Sequence, residues 1–167
     1  MPNLPARVGH GFDLHRLVEG KPLIVAGQTL AHDRGPDAHS DGDVVLHAVT
    51  DALLGALGQG DIGQLFPDDD PRWKDADSRV FLQEAVQRMD GANYQLGNLD
   101  LTVVLEAPKL GRHRAGMRAL LAELLHTQAA RINVKAKTHE GVDALGRGEA
   151  IACHAVVMLI EDPPELP

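Results

Sequence analysis

The segment from Gly35 to Pro71 carries an unusual concentration of negative charge. It contains no Lys or Arg and eight aspartates, which are Asp37, Asp41, Asp43, Asp51, Asp61, Asp68, Asp69 and Asp70. The net charge of the whole chain, −8, equals the imbalance of this segment alone. Carboxylates crowded in a compact fold repel one another, so the segment indicates that a bound cation compensates them. Because His39 and His47 lie among the carboxylates, zinc, manganese or a similar borderline metal is favoured over calcium alone.

Short β-branched runs bounded by Gly and Pro predict five strands. These are Ala6–Phe12, Pro22–Ala26, Leu99–Glu106, Ile132–Thr138 and Ile151–Ile160. Apolar residues at helical spacing predict three helices. They run from a cap at Ser40 or Asp41 to Leu57, from Ser78 to Met89, and from His113 to His126.

This succession of elements favours an α+β fold with one mostly mixed β-sheet and helices on one face. A chain of 167 residues is long enough for one domain with a sizeable core, which we place at residues 1–160. We expect residues 161–167, rich in Pro and Glu, to form a flexible tail.

Several functional classes are disfavoured by composition. No basic stripe is available for a nucleic-acid backbone. No apolar run reaches membrane-spanning length and no signal-peptide core is evident, so we expect a cytoplasmic protein with no membrane partner. The one cysteine, Cys153, argues against a disulfide framework and is expected to be a buried, inert thiol.

Asp13, His15 and His47 are candidate metal ligands. Asp13 and His15 follow the first predicted strand, and alternate residues of an extended chain project to the same face. His47 lies on the first predicted helix, with Asp43 and Asp51 one turn before and one turn after it. Either carboxylate could accept the second N–H of a metal-bound histidine. The alternatives are a solvated turn for Asp13 and His15, and a packed or surface-exposed side chain for His47.

Three protein ligands would leave a fourth tetrahedral position open, as in catalytic zinc sites, and a phosphate oxygen could fill it. His39 and Ser40 stand where the helix dipole and free N–H groups favour anions. Plain N-capping by Ser40 and a solvated loop position for His39 are the alternatives.

The run from Ala38 to Ala48, with its A-H-S-D-G-D core, resembles the signature of the 2-C-methyl-D-erythritol 2,4-cyclodiphosphate synthases of the non-mevalonate isoprenoid pathway. The resemblance spans nearly the whole chain in order and spacing. It also covers Gly9–His15, Thr50–Gly55, Gly60–Gly63, Leu65–Asp68, Asp77–Ser78, Ala107–Lys109, Asn133–Ala136, Thr138, Glu140 and Gly146–Glu149.

The resemblance implies roles for individual residues. Asp13, His15 and His47 would bind zinc, and Glu140 would ligate a second cation such as magnesium or manganese. His39 and Thr138 would be the catalytic residues at the phosphates. Asp51, from the spacing argument, would be an outer partner of the metal site. The substrate-binding set would be Ser40, Asp61, Ile62, Gly63, Asp68, Ala107, Pro108, Lys109, Leu110, Gly111, Lys137 and Arg147.

The implied reaction is cyclisation of 4-diphosphocytidyl-2-C-methyl-D-erythritol 2-phosphate with loss of CMP, in a homotrimer whose active sites lie between subunits. Arg147 and Glu149 would lie near the trimer axis, with a local surface ion pair as the alternative reading. Lys137 stands where the family often has threonine, and residues 141–145 lack the family's aromatic. A metal-dependent phosphohydrolase and a non-catalytic metal-binding protein are the competing functions.

Overall fold

The computed structural model describes residues 5–161, and its longest strand is the first, β1 (Ala6–Glu19). Residues 6–16 of β1 pair antiparallel with the last strand, β7 (Ala150–Glu161), and residues 17–19 pair with β4 (Arg34–Pro36). The predicted end at Phe12 was therefore wrong, because β7 continues to supply hydrogen-bond partners beyond it. Asp13 and His15 lie inside β1 rather than after it.

The main sheet has five strands in the order β4-β1-β7-β5-β6, where β5 is Tyr94–Val104 and β6 is Ile132–Lys137. Only β5 and β6 pair in parallel, so the sheet is mixed. The short strands β2 (Leu23–Val25) and β3 (Gln28–Leu30) form a separate hairpin. The predicted single α+β domain with a mixed sheet is confirmed.

The described residues also form five α-helices. They are α1 (Val44–Leu57), α2 (Ile62–Leu65), α3 (Arg79–Gly91), α4 (Arg114–Leu124) and α5 (Asp143–Gly146). Three short 3-10 helices lie at Pro71–Trp73, Gly111–His113 and Ala129–Arg131. The single turns α2 and α5 lie outside the three predicted helices. None of these helices is long and apolar enough to cross a bilayer. Beyond Glu161, the predicted flexible tail lies outside the described residues. The cytoplasmic location stays a prediction.

Helix α1 lies directly against the backbone of β1. A Cβ added to Gly11 would lie 1.9 Å from the Ala48 carbonyl oxygen, and one added to Gly9 would lie 1.9 Å from that of Ala52. Only glycine allows so close an approach of strand and helix. Asp13 and His15 share the face of β1 that carries these glycines, so both project toward the start of α1.

Asp43 is the N-cap of α1, which corrects the predicted cap at Ser40 or Asp41. Its Oδ1 accepts hydrogen bonds from the Val45 and Leu46 N–H groups, each at 3.1 Å. The carboxylate also accepts the N–H groups of Ala26 and Gly27 and so ties the β2–β3 turn to the helix. Burial raises the pKa of Asp43 to about 6, against the opposing effect of the N–H groups of Gly27, Leu46 and Ala26.

The face of the sheet opposite α1, which we call the outer face, is unusually apolar. It comprises Val8, His10, Phe12 and Leu14 of β1 and His154, Val156 and Met158 of β7. Val8 is 69% exposed and Phe12 48%. On the inner side Cys153 is buried, and burial raises the pKa of its thiol. The cysteine therefore packs as a small apolar residue in the core.

Candidate functional site

Three side-chain atoms from β1 and α1 converge on one point. The Asp13 Oδ2 atom lies 2.9 Å from His15 Nε2 and 3.0 Å from His47 Nδ1, and the two imidazole nitrogens are 3.2 Å apart. Ligand atoms of a tetrahedral ion with zinc-like bond lengths are roughly 3.3 Å apart. No other group of three or more such residues in the described chain could hold a metal ion. One carboxylate and two imidazoles at this spacing fit a divalent metal.

The charge of this cluster also suits a cation. Burial by itself would raise the pKa of Asp13, but hydrogen bonds with His15 and His47 outweigh it and hold the pKa well below its usual range. Asp13 is therefore an anionic ligand ready for a metal.

The second ring nitrogen of His47 faces hydroxyl groups rather than carboxylates. Its Nε2 lies 2.8 Å from Ser78 Oγ and 3.2 Å from Ser40 Oγ. The predicted partners are engaged elsewhere: Asp43 caps α1, and Asp51 accepts the Ile62 N–H at 2.7 Å. Sequence reasoning included Ser78 in the resemblance but gave it no role, because it stands just before α3, far along the chain from His47.

A cavity of about 550 Å³ opens beside the cluster. Eight of its lining residues were predicted site residues, namely Asp13, His15, His39, Ser40, His47, Ile62, Gly63 and Asp68. The structure thus brings the metal ligands and this part of the predicted substrate site together.

An aromatic wall closes one side of this cavity and was not predicted. It is built from Phe66, Trp73 and Phe81, with Phe66 at 4.6 Å from Phe81 and 5.0 Å from Trp73 between ring centroids. These are three of only five aromatic residues in the chain. That scarcity, beside the acidic segment, was a signal that could have drawn attention to them.

The loop before α2 forms the rim of the cavity. Asp61 caps α2 by accepting the Gln64 N–H at 2.9 Å, and its exposed carboxylate also accepts the Gln64 side-chain amide at 3.0 Å. Asp51, beneath it, holds the Ile62 N–H. Burial raises the pKa of Asp51, and the charges of Asp61 and Asp13 add to that effect. Asp51 therefore supports the rim and does not contact His47 through a hydrogen bond.

The other predicted residues do not line this cavity. Pro108, Lys109 and Gly111 line a separate cavity of about 360 Å³, and Leu110 is buried in the core. Ala107 is exposed at the start of that segment and Lys137 is exposed at the end of β6.

Thr138 and Glu140 lie just beyond β6 and contact each other. The Thr138 hydroxyl donates to Glu140 Oε1 at 2.9 Å. Arg147 and Glu149 form the local ion pair given above as the alternative, with two N–O distances of 3.0 Å. Within one chain, none of these four side chains reaches the cavity beside the metal cluster.

Comparison with known proteins identifies the family. The YgbB family matches residues 6–160. The chain belongs to the YgbB family. The chloroplastic 2-C-methyl-D-erythritol 2,4-cyclodiphosphate synthase of Oryza sativa subsp. japonica is 59% identical over 159 residues, which cover 95% of this chain and 72% of that one. The enzyme of the same name from Proteus mirabilis is 53% identical, over 93% of this chain and 98% of that one.

Solved structures of other proteins share the fold. The Plasmodium falciparum protein, described as a CDP complex, is 34% identical and superposes with a TM-score of 0.84. The match covers 96% of this chain and 99% of that one.

Proposed function

We propose that this member of the YgbB family converts 4-diphosphocytidyl-2-C-methyl-D-erythritol 2-phosphate to 2-C-methyl-D-erythritol 2,4-cyclodiphosphate and CMP, a step in isoprenoid precursor biosynthesis. Enzymes named for this synthase activity are more than 50% identical to the chain over nearly its whole length. The observation that carries the proposal is the convergence of Asp13, His15 and His47 at the wall of a cavity lined by the other phosphate-binding candidates.

The reaction needs no nucleophile from the protein. An oxygen of the substrate's 2-phosphate forms a new bond to the β-phosphorus, and the bond from that phosphorus to the bridging oxygen breaks. CMP departs with the electron pair of that bond. Catalysis then depends on holding the attacking and leaving oxygens in line and on neutralising the phosphate charge. The one cysteine of the chain is buried in the core, which is consistent with a reaction that uses no protein nucleophile.

Asp13, His15 and His47 would hold the divalent metal, which we propose to be zinc. Such an ion polarises a phosphate oxygen and neutralises charge developing at the transferring group. Glu140 would ligate a second cation, magnesium or manganese, with Thr138 beside it on the diphosphate.

The cavity residues of this chain would orient the substrate. His39 and Ser40, together with the rim residues Asp61, Ile62 and Gly63, would bind its phosphates and hydroxyls. The His39 ring is already fixed by a contact of 3.2 Å between its Nε2 and the Asp70 carbonyl oxygen. The aromatic wall would exclude water from the reacting phosphates, which strengthens the electrostatic interactions in the site.

We further propose a homotrimer with active sites between adjacent copies. Within one chain, the metal cavity is not lined by the predicted nucleotide segment Ala107–Gly111 or by Thr138 and Glu140. A substrate that contacts both sets would therefore bridge two copies. The apolar outer face, with Val8 and Phe12 exposed, supports burial against further copies.

Phosphorus NMR of the purified chain with the cytidyl substrate, magnesium and zinc tests the activity. We expect signals of a cyclic diphosphate and of CMP in equal amounts. Inorganic phosphate or a linear product would instead indicate a phosphohydrolase. A folded, metal-loaded chain without turnover would indicate a metal-binding protein, and either result would overturn the proposal.

A further inference from the structure

Ser78 occupies the N-cap position of α3 but does not cap the helix. A serine at this position normally accepts a backbone N–H of the first helical turn. Here the side chain makes no capping hydrogen bond, although it is completely buried. Its hydroxyl lies instead between two polar groups, the Asp41 carboxylate and the His47 ring. The hydroxyl therefore has a role other than helix capping.

The Asp41 carboxylate is surrounded by hydrogen-bond donors. It accepts the Ser78 hydroxyl and the Asp43 N–H on Oδ1, and the Ser78 N–H on Oδ2. The Asp41 N–H donates to the Ala76 carbonyl at 3.0 Å, which fixes the segment before α1 against the segment before α3. Asp41 and Ser78 are thus held together by backbone and side-chain contacts.

The Ser78 hydroxyl has one proton, and the group to which it donates that proton bears on which ring nitrogen of His47 carries a proton. If Ser78 donates its proton to Asp41, it can only accept from His47 Nε2, 2.8 Å away. The His47 proton then lies on Nε2. The lone pair of Nδ1 points at the position where Asp13 and His15 converge, which is the form that a metal ligand requires.

Asp13 favours the opposite arrangement in the absence of a metal. Its Oδ2 is 3.0 Å from His47 Nδ1 and would readily accept a proton placed there. A ring protonated on Nδ1 would present no lone pair to a metal. The contacts on the two sides of the ring therefore compete for the position of one proton.

We propose that Asp41 and Ser78 are positioning residues that hold the proton of His47 on Nε2 and so direct Nδ1 to the metal. This inference rests on the metal centre of the proposed function. Outer partners of this kind also orient the ring, and their loss typically weakens metal binding.

The test uses the full chain, with Ser78→Ala and Asp41→Asn as the variants and zinc alone as the probe. Zinc affinity is measured by competition with a chelating dye, and proton–nitrogen correlation NMR of the metal-free chain reports which ring nitrogen of His47 is protonated. We expect about 10- to 100-fold weaker zinc binding in both variants and a shift of the proton from Nε2 toward Nδ1.

Asp77→Asn is the matched control, because Asp77 accepts the Arg79 N–H at the same end of α3 without contacting His47. It should leave zinc affinity and the His47 proton unchanged. The proposal is overturned if the two folded variants bind zinc as the wild type does, or if Nε2 keeps its proton in both. In another outcome, the wild-type chain binds no zinc but carries the His47 proton on Nε2, and the variants do not. That result would refute the metal assignment and support the positioning role.

Discussion

Replacing Gly11 by alanine should separate the strand and helix that carry the metal ligands. The added Cβ would lie 1.9 Å from the Ala48 carbonyl oxygen and 2.8 Å from the Ala52 nitrogen. Both are backbone atoms of α1, so no side-chain rotation relieves the overlap. Carbon and oxygen atoms in close contact are about 3.3 Å apart, so helix and strand must move apart by roughly 1.4 Å.

The movement acts on the site because Ala48 follows His47 in α1, and Gly11 precedes Asp13 by two residues in β1. The distance from Asp13 Oδ2 to His47 Nδ1, now 3.0 Å, would increase beyond what one ion can bridge. Ligand distances in metal sites tolerate only about 0.2 Å. We expect a loss of about 1–3 kcal/mol in the free energy of unfolding and about 100-fold in activity.

Urea unfolding and zinc titration of Gly11→Ala measure the two effects. Gly55→Ala is the matched control in α1, because its added Cβ would meet only the His10 carbonyl oxygen at 3.9 Å. Alanine there should be neutral or stabilise the helix by up to about 1 kcal/mol. If Gly11→Ala unfolds at the wild-type urea concentration and binds zinc stoichiometrically, the close approach does not set the metal site.

Three further predictions concern the cap, the rim and the outer face. Asp43→Ala leaves four N–H groups without their acceptor and should lower the free energy of unfolding, measured in urea, by about 2–4 kcal/mol. A loss below about 1 kcal/mol would contradict the role of Asp43 in joining α1 to the β2–β3 turn. Asp51→Ala should raise KM because the Asp51 carboxylate accepts the Ile62 N–H at the rim of the cavity, and it should leave zinc affinity unchanged. Weaker zinc binding in this variant would instead support Asp51 as a partner of His47. The proposed trimer should dissociate to a monomer in sedimentation of Val8→Asp, whereas Val80→Asp, at a less exposed valine on α3, should not change the assembly; an unchanged trimer in both would place the interface elsewhere.

Much of the fold was predictable because its local signals were strong. The apolar repeat of α1 and the β-branched runs of β6 and β7 identified those elements to within a few residues. The strands β3 and β4 have three residues each, too few to show a periodicity. The continuation of β1 past Phe12 depends on its pairing with β7, which no local pattern reveals.

The site was predictable only where a local motif or the family resemblance marked its residues. Asp13, His15 and His47 were expected to share one site, and the structure brings their ligand atoms within 4.8 Å of one another. The cap was misplaced because Gly42, with φ of 72°, turns the chain before the helix begins at Val44. The contact between Ser78 and His47 joins residues 31 positions apart, and no local sequence pattern predicts it.

Asp13, His15 and His47 are proposed to hold the metal on which cyclisation depends. Bound zinc per chain, measured on the same samples of wild type and His47→Ala that are assayed for CMP release, tests this proposal most directly. We expect the wild type to hold stoichiometric zinc and release CMP with the cyclic product, and the folded variant to lose both. Stoichiometric zinc in the folded His47→Ala variant would contradict the assignment of the metal centre.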